Sequence, residues 1–170
     1  MPTPTRSQLA AQLADLKRTG LDKKLAAAAK AAGIEYPFLL AVASRESGCR
    51  NQLGDYRGGL AHGIGILQID VQHPIALHAR DTGSWWPNPD PLIAFGAALL
   101  ASNLKSVRAL RPSFTDAQAH KISASAYNCG LGNALAGSAK GDSDKFTTGG
   151  SYGRDVMDRM AIFQDLLAAK

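Results

Sequence analysis

Cysteine is scarce in this chain. Two occur in 170 residues, Cys49 and Cys129, and they permit one disulfide at most. No Cys or His pair has the spacing of a metal site, so no metal is expected. Long apolar runs are missing too. None approaches the roughly 18 residues that span a bilayer, which argues against a membrane-spanning class. The opening Met1-Pro2-Thr3-Pro4-Thr5-Arg6 leads into no apolar core and does not read as a signal peptide. There is no internal repeat, no low-complexity tail and no sign of a second domain. No basic cluster is interleaved with aromatics, which argues against nucleic-acid binding.

What is present fits a soluble globular protein: 45% hydrophobic and 19% charged residues. The length suits a single domain, residues 1–170, with a real core. The net charge is +5 and the pI about 9.4, which favours encounter with polyanions.

The periodicity is mostly helical. Leu9, Leu13 and Leu16 form a short stripe ended by Gly20. Asp22 is placed to cap a second helix that carries Leu25 and closes at Gly33. Pro37 opens a third helix at the N1 position. The stretch from His73-Pro74 to Pro91 reads as irregular. Asp90-Pro91 starts a long helix to about Leu110, with Leu100, Leu104 and Val107 buried, and Pro112 ends it. Thr115 and Gln118 make a capping box for the next helix, which runs into Tyr127. Gly137 to Gly150 reads as a loop. The last helix follows Ser151 and carries Val156, Met160, Phe163 and Leu167 at helical spacing.

Glu46 stands out against this pattern. It falls on the same helical face as Leu39 and Val42. Ionising a carboxyl there means desolvating a charge, and the usual outcome is a raised pKa and a proton donor near neutrality. Gly48 stops the helix, so the negative end of its dipole acts in the same direction. The alternative is a Glu at the solvated edge of a core helix. Residues 51–70 follow, rich in glycine, with Ile64, Ile66 and Ile69 suited to short strands and further carboxylates at Asp55 and Asp70. A helix-end acid facing a hairpin with more carboxylates suits glycoside hydrolysis, which uses one protonated and one ionised carboxyl.

Four blocks carry a resemblance: Ser44-Arg45-Glu46-Ser47, Gly63 to Asp70, Ser125-Ala126-Tyr127-Asn128-Cys129-Gly130, and Thr147 to Val156. In this order they resemble the goose-type lysozymes and, more distantly, the lytic transglycosylases that share their fold. They run from about Phe38 to Phe163. Residues 1–35 match no motif and read as an N-terminal helical extension to a catalytic core at 36–170. The fold implied is mainly α, an α+β lysozyme-like arrangement with a small Gly-rich β-hairpin at the cleft.

The resemblance also implies roles. Glu46 would be the general acid. Asp70, 24 positions later, would hold the attacking water; otherwise it is a turn residue after a strand. Asp55 would be a second such acid, although the chain carries extra residues between Gly54 and Gly63. Tyr127, Asn128 and Tyr152 would line the cleft, against a plain core role. Gln68 faces either the cleft or the hairpin backbone. His73 lines a sugar subsite or is a lone surface histidine. Trp85 and Trp86 either stack on sugar, with only one of them facing the cleft, or serve as core or loop anchors, the commoner role of large aromatics.

Cys49 and Cys129 would be bridged, pinning the catalytic helix to the cleft wall; otherwise they are separate thiols. The activity implied is a muramidase cutting the β-1,4 bond between N-acetylmuramic acid and N-acetylglucosamine with inversion. The alternatives are a lytic transglycosylase and a non-catalytic glycan-binding relative. No cofactor is implied. The partner would be peptidoglycan, whose polyanionic walls suit the positive charge, and a proteinaceous lysozyme inhibitor is admitted. A monomer, secreted or in the cell wall, is expected.

Overall fold

The computed structural model describes residues 4–169, so the reading of the N-terminus as no signal peptide falls partly outside them. The described chain runs α1 (Arg6–Thr19), α2 (Leu21–Ala32), α3 (Tyr36–Ser47), β1 (Leu53–Arg57), β2 (Leu60–Ile64), β3 (Ile69–Asp70), α4 (Pro74–Thr82), α5 (Asp90–Leu110), α6 (Asp116–Cys129), α7 (Leu131–Ala139), a 3-10 turn (Ser143–Phe146) and α8 (Tyr152–Ala168). This is the mainly helical architecture with a small β element that the resemblance implies.

Helix α3 is the axis. Phe38, Leu39, Leu40, Ala41, Val42 and Ala43 are all fully buried, so the helix is wrapped on every side. Neighbouring helices supply the wrapping: Leu9, Leu13 and Leu16 from α1, Leu25 from α2, Ile93, Ala97 and Leu100 from α5, and Val156 and Phe163 from α8. Each large aliphatic or aromatic side chain so buried contributes about 1.5–3 kcal/mol. A second cluster, with Leu104, Val107, Ala119, Ile122 and Ala134, joins α5, α6 and α7. Helix α3 stops at Gly48, whose φ of +63 no branched residue adopts cheaply.

The sheet is antiparallel in the order β1-β2-β3. Gly58 and Gly59 form the turn between β1 and β2, both at positive φ as a two-residue hairpin turn requires. The register pairs Gly54 with Gly63 and Tyr56 with Ala61, and Gly63 in turn with Asp70.

Polar contacts lock α3 to α8. Arg159 and Asp155, one turn apart on α8, form a buried pair at 3.0 Å. Arg159 also donates from Nη1 to the Ser44 carbonyl at 3.1 Å and to Ser44 Oγ at 2.7 Å. Ser44 Oγ in turn donates to Gln12 Oε1 of α1 at 2.6 Å. Arg45 Nε approaches Asp155 Oδ2 at 2.9 Å, close enough for an ion pair but off the hydrogen-bond line.

Several expectations need correction. Asp22 does not cap α2: Gly20 is the cap residue, and Asp22 lies inside the first turn. Pro37 is the second helical residue, not the first. The stretch after His73 is irregular only at residues 83–89, because Pro74 starts α4, which runs to Thr82; its buried stripe is only Ala76 and Ala79, too small to register as periodicity. Gly137 lies in α7, where a Cβ would sit 2.6 Å from the Asp142 carbonyl. By length and composition alone, α5 is apolar enough to cross a membrane, contrary to the sequence reading. Its apolar face is accounted for by packing into both core clusters.

The expected disulfide is not formed. Cys49 and Cys129 are free thiols. Cys49 follows α3 at φ +63 and is buried in the main core, whereas Cys129 ends α6 and packs against the second cluster. Each thiol is thus held by packing against a different cluster, and no bridge joins them. Burial pushes Cys49 up to about 12, and Cys129 is raised by burial and by Asp144 nearby. Thiol titration of the native protein should therefore label Cys129 slowly and Cys49 only after unfolding. Finding fewer than two thiols in the unfolded, unreduced protein would contradict the structure.

Candidate active site

A cleft of about 680 Å³ opens between the end of α3, the hairpin, α6 and the start of α8. Its lining includes Glu46, Asp55, Gln68, Asp70, His73, Tyr127, Asn128 and Tyr152. The eight candidate catalytic and substrate-contact residues thus converge from four parts of the sequence. Neither tryptophan is among the lining residues, so the expected Trp85 or Trp86 sugar platform is not in this cleft.

Glu46 sits in the last turn of α3, half-buried, in the wall of the cleft. Burial raises its pKa from the ordinary 4.5 to about 7. The Tyr152 hydroxyl donates to Glu46 Oε1, and that bond, with the Arg45 charge, acts in the opposite direction. Arg45 lies over the Tyr152 ring at 5.3 Å, while its ion pair with Asp155 holds it. Tyr127 donates its hydroxyl to the Leu67 carbonyl at 2.9 Å, tying α6 to the hairpin. Burial and the nearby Glu46 carboxyl raise both tyrosine pKa values well above the ordinary range, so both remain donors.

Tyr152 owes its place to a remote cap. Asp144, fully buried in the 3-10 turn, accepts from the backbone N–H of Gly153 at 2.6 Å and of Arg154 at 3.0 Å. Its Oδ1 also accepts from Ser125 Oγ at 2.9 Å. A carboxylate at the first turn of α8 satisfies orphan donors and complements the helix dipole. Gly153 is required for this approach: a Cβ would sit 2.6 Å from the Lys121 carbonyl and nearer still to Ser125 Oγ.

The hairpin presents the other acids. Asp70 ends β3, half-buried, with Oδ1 accepting from the Gln72 N–H at 2.7 Å. Asp55 is exposed at φ +48, in a position the β1–β2 ladder skips, and is ion-paired to Arg57 at 2.7 Å. Gln68, at φ +47, turns its amide onto backbone: Nε2 donates to the Gly65 carbonyl at 2.7 Å and to that of Gln52 at 3.0 Å. Its amide oxygen occupies the space a Cβ on Gly54 or Gly63 would need. Of its two sequence readings, backbone is the one present. Asn128 Oδ1 accepts from the Thr148 N–H at 2.8 Å, and His73 packs on the Phe95 ring at 4.9 Å.

Sequence reasoning missed Arg45, Arg57, Asp144, Asp155 and Arg159. Asp155 and Arg159 had a signal: opposite charges one turn apart beside the apolar stripe of the last helix. Arg45 adjoins Glu46 but points to α8. Asp144 had none, because its partners are backbone groups nine and ten residues away.

Two measurements follow from the Glu46 environment. Between its ordinary pKa and about 7 the folded chain binds more protons than the unfolded one. Stability from this group is therefore full below pH 4.5, falls as pH rises to about 7, and is level above. The total is on the order of 3 kcal/mol. Glu46→Gln should be more stable than wild type at pH 8 and lose that advantage near pH 4, as read by urea denaturation. Tyr152→Phe removes a bond to the ionised form, so the Glu46 pKa should move above its present value in an NMR titration. A fall would show that Tyr152 does not stabilise the carboxylate.

Comparison with known proteins places the chain. Residues 7–166 match the lysozyme g family. Lysozyme g of Casuarius casuarius is 29% identical over 131 residues, covering 77% of this chain and 65% of that protein. Lysozyme g of Gallus gallus is 28% identical over the same length, covering 57% of its own chain. The chain thus spans less than two-thirds of these curated relatives. With its cleft, its helix-end glutamate and a family match along nearly its whole length, the chain belongs to the lysozyme g family.

Proposed function

We propose that this chain is a muramidase that hydrolyses the β-1,4 bond between N-acetylmuramic acid and N-acetylglucosamine in peptidoglycan. The observation that carries this reading is Glu46: a desolvated carboxyl in an open cleft, raised to about 7, with the hairpin carboxylates of Asp55 and Asp70 lining the same cleft. Half-protonated near neutrality, it is matched to general-acid work. Glu46 gives its proton to the leaving glycosidic oxygen. Tyr152 then steadies the carboxylate that remains, through the hydrogen bond it already makes.

Asp70 supplies the opposite face. It holds a water that attacks the anomeric carbon, with inversion. Such a geometry leaves about 6.5–9.5 Å between acid and base carboxyls. Asp55 is a second acceptor for that water. Its ion pair with Arg57 is exposed and worth about 0–1 kcal/mol, so it can yield when substrate enters. Gln68 acts by fixing the hairpin. Asn128, His73 and Tyr127 shape the sugar-binding walls.

The substrate would be met in the cell wall or outside the cell, by a monomer working as one domain over residues 1–170. A proteinaceous lysozyme inhibitor would dock at the same cleft. Leu9, Leu13, Leu16 and Leu25 of the first two helices enter the main core, which supports reading them as part of that one domain.

Glu46→Gln should reduce lysis of purified peptidoglycan to a few per cent or less. Asp70→Asn should fall by about 10- to 100-fold, a loss of alignment rather than of the proton. Activity should decline as pH rises through about 7, where Glu46 loses its proton. Mass analysis of the wild-type digest should show free reducing ends. Mainly 1,6-anhydromuramic ends with an active Asp70→Asn variant would make the chain a lytic transglycosylase. No cleavage at all would leave a glycan-binding relative.

A further inference from the structure

A second groove, of about 650 Å³, lies at the other end of the segment that supplies Asp55 and Arg57 to the cleft. Residues 49–52 line it, together with parts of α1 and α2 and the 86–89 loop. We propose that this groove is a second, non-catalytic glycan site that holds an acidic stretch of wall glycan away from the cleft. The proposal rests on the muramidase reading for the identity of its ligand.

Trp86 carries the argument. It is 67% exposed, the highest figure among the large hydrophobic side chains left in solvent. Its position is nevertheless built. The ring meets that of Trp85 edge-on at 5.5 Å, and Trp85 packs against the main core. Asn51 Nδ2 donates to the Trp85 carbonyl at 3.0 Å, fixing the loop to the groove wall. Pro87 and Pro89 stiffen the same loop. An indole face held rigidly open to solvent suits stacking on the apolar face of a pyranose ring, as large amphipathic aromatics do at binding surfaces.

Charge specifies the rest of the ligand. The groove lining carries three cations, Arg18, Lys24 and Arg50, against one acid, Asp15. Arg18 is bonded to Asp15, and Lys24 is paired with Asp90. Among the described residues Arg50 has no ion-pair partner, and it is exposed beside the indole-bearing loop. A sugar ring on Trp86 with a carboxylate reaching Arg50 satisfies both. A glycan strand whose sugars bear acidic substituents has that chemistry. Such a contact would keep the protein on an insoluble substrate between cuts and would add avidity without touching the chemistry.

The test separates binding from turnover. In a Glu46→Gln background, co-sedimentation with purified peptidoglycan sacculi is measured with and without Trp86→Ala and Arg50→Glu. The expected result is a fall in affinity of fivefold or more for the pair, with Trp86→Tyr restoring most of the Trp86 loss. In the active protein the same groove variants should cut short soluble oligosaccharides, which fill only the cleft, at the wild-type rate. Unchanged sedimentation would overturn the proposal. So would a parallel loss on the short oligosaccharides, or tighter binding of a single-stranded oligonucleotide than of glycan at equal salt. Failure of the wild type to cleave peptidoglycan would instead strike the muramidase reading and leave the sedimentation result standing.

Discussion

Asp155, sealed between α3 and α8, is the group on which the cleft depends. It receives Arg159 from its own helix and Arg45 from α3, and all three side chains are largely buried. Such a cluster is poor evidence of stability in itself, because desolvating the charges offsets much of their attraction. Its value lies in register. Arg159 reaches the Ser44 carbonyl as well, so α8 can meet α3 at only one axial position. That position puts the Tyr152 hydroxyl on Glu46. It also keeps Arg45 directed at Asp155. Released from Asp155, Arg45 would stabilise the Glu46 carboxylate further and draw its pKa back toward the ordinary value, which removes a proton donor at neutral pH. Loss of one partner from a buried pair costs about 3–5 kcal/mol, so the arrangement is also hard to vary piecemeal.

Much of the fold was legible in the residues. The three leucines of α1, the glycine stops at Gly20, Gly33 and Gly48, the Thr115 box and the stripe of α8 are local signals, and the structure uses each of them. What stayed hidden was either too small or too distant to read. The buried faces of α4 and α7 are alanine and glycine, which give no periodicity although they pack closely. The site was legible to the extent that Glu46 broke an apolar stripe. Its supports were not, because Asp144 acts on backbone groups and Arg45 acts across helices. The expected disulfide came from a shared neighbourhood inferred by resemblance, and packing into separate clusters overrode it.

The hairpin shows where the chain accepts strain for the sake of placement. Asp55 and Gln68 both hold left-handed backbone that non-glycine residues seldom adopt, and both line the cleft. At Gln68 the strain turns a side-chain amide inward onto the carbonyls of Gly65 and Gln52, across the space left by the paired Gly54 and Gly63. At Asp55 it takes a carboxylate out of the ladder and delivers it to Arg57 at the rim. The two acids of the hairpin are therefore unequal. Asp70 is fixed by the β2–β3 pairing and by its bond to Gln72, whereas Asp55 is held by one exposed ion pair.

The two free thiols carry a consequence for how the protein is made. A fold with no cross-link has no step that waits for an oxidant, and no wrong pairing to be undone by an isomerase. With Cys49 raised to about 12 and almost wholly buried in the wall of the second groove, thiolate at that position is negligible at neutral pH. The chain can thus reach its working shape in a reducing compartment and meet an oxidising one afterwards without rearrangement.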